Sequence, residues 1–151
     1  MSNIEQNAQL RAILSQAHWQ VRPERFVVVG LEPREQILVV QLLSRVTSAF
    51  IQFLVEPGRL TLILPEQDWR EFRPAFPRAR IQKPYRIISF TADLPDNLVG
   101  FLAAVTSALA DAGIPLLAVC GYSKDHVMVL EEDIMKAQDV IEGLVERVQN
   151  M

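Results

Sequence analysis

Residues 121–126, Gly121-Tyr122-Ser123-Lys124-Asp125-His126, hold most of the side chains in this 151-residue chain that could do chemistry. Six positions carry a phenol, a hydroxyl, an amine, a carboxylate and an imidazole. They lie between two apolar runs, residues 114–120 and 127–130, so they read as a polar turn joining two strands. Gly100 stands at the start of the preceding helical pattern, and this glycine-bearing helix start together with the polar turn reads as a ligand cleft. Asp125 reads as a binding acid or as an ordinary turn residue, since Asp suits turns. His126 reads as a pH-sensitive ligand contact or as a structural histidine. Cys120, the lone cysteine, ends an apolar run and reads as a small buried hydrophobe. A catalytic thiol would use His126 as its base, but no oxyanion-hole pattern accompanies the pair. Gln52 reads as a polar group facing a cleft or as a polar position on an edge strand. Glu131, Glu132 and Asp133 open a helix, where they favour its positive end. The chain has no HExxH, P-loop or G-x-S-x-G pattern and no metal-ligand spacing, so neither an enzyme nor a metal or cofactor site is expected.

The elements around these residues follow from hydrophobic spacing. Leu98, Phe101, Leu102, Val105 and Leu109 repeat at helical intervals over residues 97–112, and Gly113 stops that helix. Asp93-Leu94-Pro95-Asp96-Asn97 reads as a cap-and-turn cluster leading into it. Ile134, Ala137, Ile141, Leu144, Val145 and Val148 line one face of a last helix over 133–148. In the first half, residues 26–31 read as a buried strand rich in valine. Ile37, Val40, Leu43 and Val46 recur every third residue, a loose helical face. Residues 49–55 and 60–64 read as a hairpin about Pro57-Gly58, followed by a short helix over 67–72. Strand, helix, strand, strand, helix thus occurs twice. This is the split βαβ, ferredoxin-like plan, an α+β class with helices on one face of antiparallel sheets. The expected division is an N-terminal helical arm over 1–23, a first unit with linker over 24–83 and a second unit over 84–151. The source of each unit's final strand stays open; residues 78–82 could serve the first.

Composition narrows the function. Half the residues are hydrophobic and the net charge is −3, which argues against disorder and against a nucleic-acid partner. Arg70, Arg73, Arg78, Arg80 and Lys83 form a basic, proline-bearing stretch. It reads as a polyanion site or as a solvated linker, and nearby Glu66, Asp68 and Glu71 favour the linker. No run reaches the roughly 18 apolar residues of a membrane span. The polar N-terminus lacks signal-peptide order. A cytoplasmic location without membrane contact is expected.

Residues 98–133, LVGFLAAVTSALADAGIPLLAVCGYSKDHVMVLEED, resemble the second half of the compact double-ACT proteins allied to the CASTOR-type arginine sensors. RFVVVGLEP (25–33) and AFIQFLVEPGRLTLILPE (49–66) resemble the companion first half. The resemblance implies a small-molecule sensor, usually of amino acids, with ligand held where ACT units meet. It places Asp125 at the ligand-binding acid and Tyr122 at an aromatic that packs on the ligand. The physics fits a free amino acid: helix N–H groups suit its carboxylate, Gly100 lets backbone come close, and Asp125 accepts from its ammonium. The chain departs from the pattern at Val99, Cys120-Gly121 and Gln52, where the family carries hydroxyl side chains. The expected function is therefore a non-catalytic amino-acid-binding regulatory module acting on a protein partner or a homo-oligomer. The alternative is an interaction module with a degenerate ligand site.

Overall fold

The computed structural model describes residues 3–82 and 84–151; Met1, Ser2 and Lys83, the last of the five basic residues above, lie outside them. In chain order the first elements are α1 (Asn3–Gln6), α2 (Ala8–Ser15), β1 (Trp19–Val21) and β2 (Phe26–Leu31). Next come α3 (Gln36–Leu43), β3 (Gln52–Glu56), β4 (Arg59–Pro65), α4 (Glu66–Phe72) and β5 (Arg80–Ile81). The rest are β6 (Tyr85–Phe90), α5 (Phe101–Asp111), β7 (Leu116–Cys120), β8 (Asp125–Leu130) and α6 (Ile134–Gln149). These elements form two units. One is contiguous, Pro23–Tyr85; the other joins the segment ending at Arg22 to Arg86–Met151.

The contiguous unit has the strand order β3-β4-β2, with β5 also paired to β2. β3 and β4 form a hairpin in which Glu56 faces Arg59. The two intervening residues are Pro57 and Gly58, and Gly58 takes φ 82°, a turn conformation that favours glycine. Val27, Val29 and Leu31 of β2 and Leu60, Leu62 and Leu64 of β4 point to one face. Val39, Trp69, Phe72 and Phe76 cover that face, and the Trp69 ring stacks on Phe76 at 6.0 Å. The basic stretch expected as a linker contains part of this fold: it ends α4 and then supplies β5. α3 departs from the expected face. Only Val39 is buried, while Ile37 and Val40 are 74% and 55% exposed. A three-residue recurrence drifts around a helix of 3.6 residues per turn and does not hold one face.

In the discontinuous unit, β7 pairs antiparallel with β8, β8 lies beside β6, and β1 pairs antiparallel with β6. The fourth strand of this unit therefore comes from the N-terminal segment. Trp19 lies opposite Phe90 and Val21 opposite Ile88. Backbone bonds from Arg22 N to the Ile87 oxygen and from Thr91 N to the His18 oxygen extend the pairing. Leu10 and Leu14 of α2 join Phe90, Val105, Val127 and Ile141 in one buried cluster. The N-terminal segment expected as a helical arm is thus part of the unit's sheet and core, because its leucines have apolar surface to meet there.

Local chemistry sets the ends of α5. The helix starts at Phe101, later than residue 97, with Gly100 before it at φ 97°, ψ 0°. At the other end Gly113 takes φ 73°. Its N–H reaches the Ala110 oxygen, and the Ile114 N–H reaches the Leu109 oxygen. This double closure is a Schellman motif, with Ile114 and Leu109 both buried.

Candidate functional site

The first turn of α5 and the turn between β7 and β8 border one cleft of about 400 Å³. Its walls are residues 94–96, Leu98, residues 100–103, residues 121–123 and Asp125. Gly100 sits in the left-handed region at the helix start, where an L side chain is disfavoured. The first intrahelical bond runs from Ala104 N to the Gly100 oxygen. The N–H groups of Phe101, Leu102 and Ala103 precede it and have no acceptor within the helix. They make the positive end of the cleft. Asp96 and Asp125 line it with carboxylates.

The opposite wall is latched. The Gly121 N–H donates to the Lys124 oxygen and closes the turn. Leu94 N donates to the Ser123 oxygen at 2.7 Å. The Ser123 hydroxyl and the Lys124 ammonium both donate to Asp93 Oδ1, at 2.8 and 2.6 Å. The Lys124 ammonium and then the Ser123 hydroxyl hold the Asp93 carboxyl below its usual range. Lys124 is thereby engaged with Asp93, and the carboxylates of Asp96 and Asp125 set the charge of the lining.

The residues expected at the site divide. Gly100, Tyr122 and Asp125 line the cleft, and Tyr122 is fully exposed there. Val99 lies outside the lining; its side chain is exposed and its carbonyl accepts from Asn7 Nδ2 at 3.3 Å. Asp125 and His126 belong to β8, not to a loop. Consecutive strand residues point to opposite faces, so His126 turns away from Asp125's side and places Nδ1 2.8 Å from the buried Ser89 hydroxyl. Burial first, then the charge of Arg22, lowers the His126 pKa, with Lys124 adding and Asp125 opposing. Gln52 belongs to the contiguous unit, half-buried on β3 opposite Ile63. Cys120 is exposed, contrary to the expected burial, because β7 ends the sheet order. Partial desolvation raises its thiol pKa, and the neighbouring Asp125 carboxylate adds to the rise. Such a thiol is a poor nucleophile at neutral pH. Sequence reading missed Asp93 and Asp96 as site residues, although both stood in the expected cap-and-turn cluster.

A second cavity, of about 300 Å³, shares Gly100 and Ala103 with the cleft and is bordered by Ile4, Leu10, Ala108 and Leu144. Its lining is mostly apolar.

Residues 80–142 match the family model of the ACT domain. That span runs from β5 into α6 and contains the whole cleft. The architecture is the α+β, ferredoxin-like ACT fold. Among solved structures, the chain is similar to a Vibrio cholerae protein of unknown function described as a possible transport protein. The identity is 19% and the TM-score 0.70, over 95% of this chain and 99% of that one. It is also similar to the regulatory subunit of aspartate kinase from Thermus flavus, at 12% identity and TM-score 0.63, over 83% of this chain and 95% of that one. Aspartate kinase from Clostridium acetobutylicum matches at 12% identity and TM-score 0.67, over 85% of this chain but 34% of the kinase. At these identities the likeness is one of fold. No curated protein matches the sequence. Among the described residues, no helix is long and apolar enough to cross a membrane.

Proposed function

We propose that this chain is a non-catalytic regulatory module that binds a free amino acid in the ACT-like cleft and passes its occupancy to a partner or a second copy. The observation that carries this reading is the juxtaposition, in one cleft of about 400 Å³, of a helix N-terminus with two carboxylates. A zwitterion needs both signs of charge within a few ångströms. The α5 N–H groups suit its carboxylate, and Asp125 or Asp96 suits its ammonium. Tyr122 supplies an exposed aromatic side chain at the cleft. The volume falls in the range of small-molecule pockets, about 300–1,000 Å³. The ACT match and the fold shared with an aspartate kinase regulatory subunit support a regulatory role, and the resemblance of residues 98–133 to the CASTOR-type sensors is in keeping with it. Occupancy acts on a partner only by favouring one state of the assembly over another.

A thermal-shift panel of the twenty amino acids at millimolar concentration tests the reading. A ligand at about a hundredfold excess over its Kd stabilises the native state by about 2.7 kcal/mol. One chemical class should raise the Tm, and Asp125→Ala should abolish that response. A panel flat for all twenty removes the sensor reading. It would leave an interaction module, for which the exposed Ile37 and Val40 of α3 are the supporting observation.

A further inference from the structure

The sheet of the contiguous unit has a second face. The β2 and β4 residues that meet α3 and α4 alternate with Val28, Gly30, Arg59 and Thr61, which point the other way. Gly30 lies between Thr61 on β4 and Arg80 on β5 in one cross-strand row. Two adjoining cavities, of about 240 and 290 Å³, open here and share Gly30, Arg59 and Arg80. Thr61 and Gln82 border the first; Arg78 and Glu32 border the second.

A glycine inside a strand weakens it and often marks a close approach. Here the approaching group is Arg59: a Cβ on residue 30 would come within 2.9 Å of Arg59 Nη1. Glycine thus leaves room for the Arg59 guanidinium over residue 30, beside the Arg80 backbone. In the same unit Arg25, Arg34 and Arg70 each meet a glutamate. Arg59 and Arg80 have no ion-pair partner among the described residues. Arg78 reaches Glu32 only at 4.0 Å, and that carboxylate already holds Arg34 at 2.7 Å. Three arginines therefore border cavities lined by one shared carboxylate, an excess of positive charge that an anion would offset.

We propose that this face carries an anion site, centred on Arg59 and Arg80 across Gly30, that takes a phosphate group, free or esterified. A phosphate dianion matches the excess positive charge better than a single carboxylate does. Guanidinium forks bind its oxygens in pairs, and the Thr61 hydroxyl adds a donor. Each cavity is smaller than a usual drug-sized pocket, which suits a compact anion, and the chain's net charge of −3 opposes a nucleic-acid strand as the source.

Isothermal titration of the full chain with inorganic phosphate, pyrophosphate and glycerol phosphate, at fixed ionic strength, tests the site. At least one should bind saturably, and Arg59→Ala with Arg80→Ala should weaken it tenfold or more. Preference for glycerol phosphate identifies an esterified source; preference for the inorganic ions identifies a free one. Arg59→Lys keeps the charge but loses the fork, so it should still weaken binding. Gly30→Ala displaces the guanidinium and should do the same, with circular dichroism showing an intact fold. No saturable binding of any of the three, or affinity unchanged in the double arginine variant, overturns the proposal.

Discussion

Leu14→Ala tests the strand and core that the N-terminal segment lends to the ACT-matched unit. Leu14 is 1% exposed and belongs to the cluster holding Phe90, Val105 and Ile141. It borders neither cavity of this unit described above, so its removal leaves an unfilled space within packed side chains. A buried Leu→Ala change costs the transfer free energy of the lost carbons plus a cavity term, together about 2–5 kcal/mol. With about 3 kcal/mol as the central value, and about 2–4 °C per kcal/mol for a chain of this size, the Tm should fall by about 6–12 °C. Urea and thermal denaturation followed by far-ultraviolet circular dichroism measure the loss. Ile37→Ala is the control, because Ile37 is 74% exposed and exposed positions usually change stability by within about 0.5 kcal/mol. If Leu14→Ala costs no more than Ile37→Ala, the N-terminal segment is a detachable arm and the account of the fourth strand fails.

Gly100→Ala places a Cβ at φ 97° and should destabilise the chain by about 1–2 kcal/mol, the cost of the left-handed region for an L residue; an unchanged Tm would refute the strain. His126 gives a pH dependence. Its pKa is lowered in the fold, by burial first and by Arg22 next, so the unfolded chain holds more protons between the folded and unfolded values. Its contribution is complete above the unfolded value of about 6.5 and is lost as pH falls through the folded pKa. His126→Gln should flatten the fall of Tm over that window, and an unaltered slope would assign it to other groups.

Local patterns made much of this fold legible. The apolar face of α6 follows 3.6-residue spacing, and all six residues on it are buried. Pro57-Gly58 marked the hairpin because proline presets φ at the first turn position and glycine takes the positive φ at the second. The rest depended on non-local pairing. β1 is three residues long, too short to show a period, and its partner β6 lies far along the chain. Cys120 ends an apolar run that resembles a buried strand, but β7 lies at the end of the sheet order, and Ala118 and Cys120 are exposed. At the cleft, Asp125 and Tyr122 were legible as a polar cluster. His126 shared that cluster in sequence but is not in the cleft lining, because β8 already begins at Asp125 and turns the imidazole toward Ser89. Once both residues belong to a strand, alternation sends Asp125 and His126 to opposite faces.

The interleaving of the two units bears on how the cleft is held. The contiguous unit owns all four of its strands. The unit with the cleft does not: residues 84–151 alone would leave β6 without β1 and the core without Leu10 and Leu14. The link reaches the site itself through Asn7. Its Oδ1 caps α2 by accepting from Leu10 N at 3.0 Å, and its Nδ2 donates to the Val99 oxygen at 3.3 Å. Val99 immediately precedes Gly100, whose left-handed conformation aims the first turn of α5. One amide thus ties the start of an N-terminal helix to the backbone that presents the cleft's N–H groups. Changes in residues 3–22 that release Asn7 should therefore loosen the first turn of α5 without touching a lining residue of the 400 Å³ cleft.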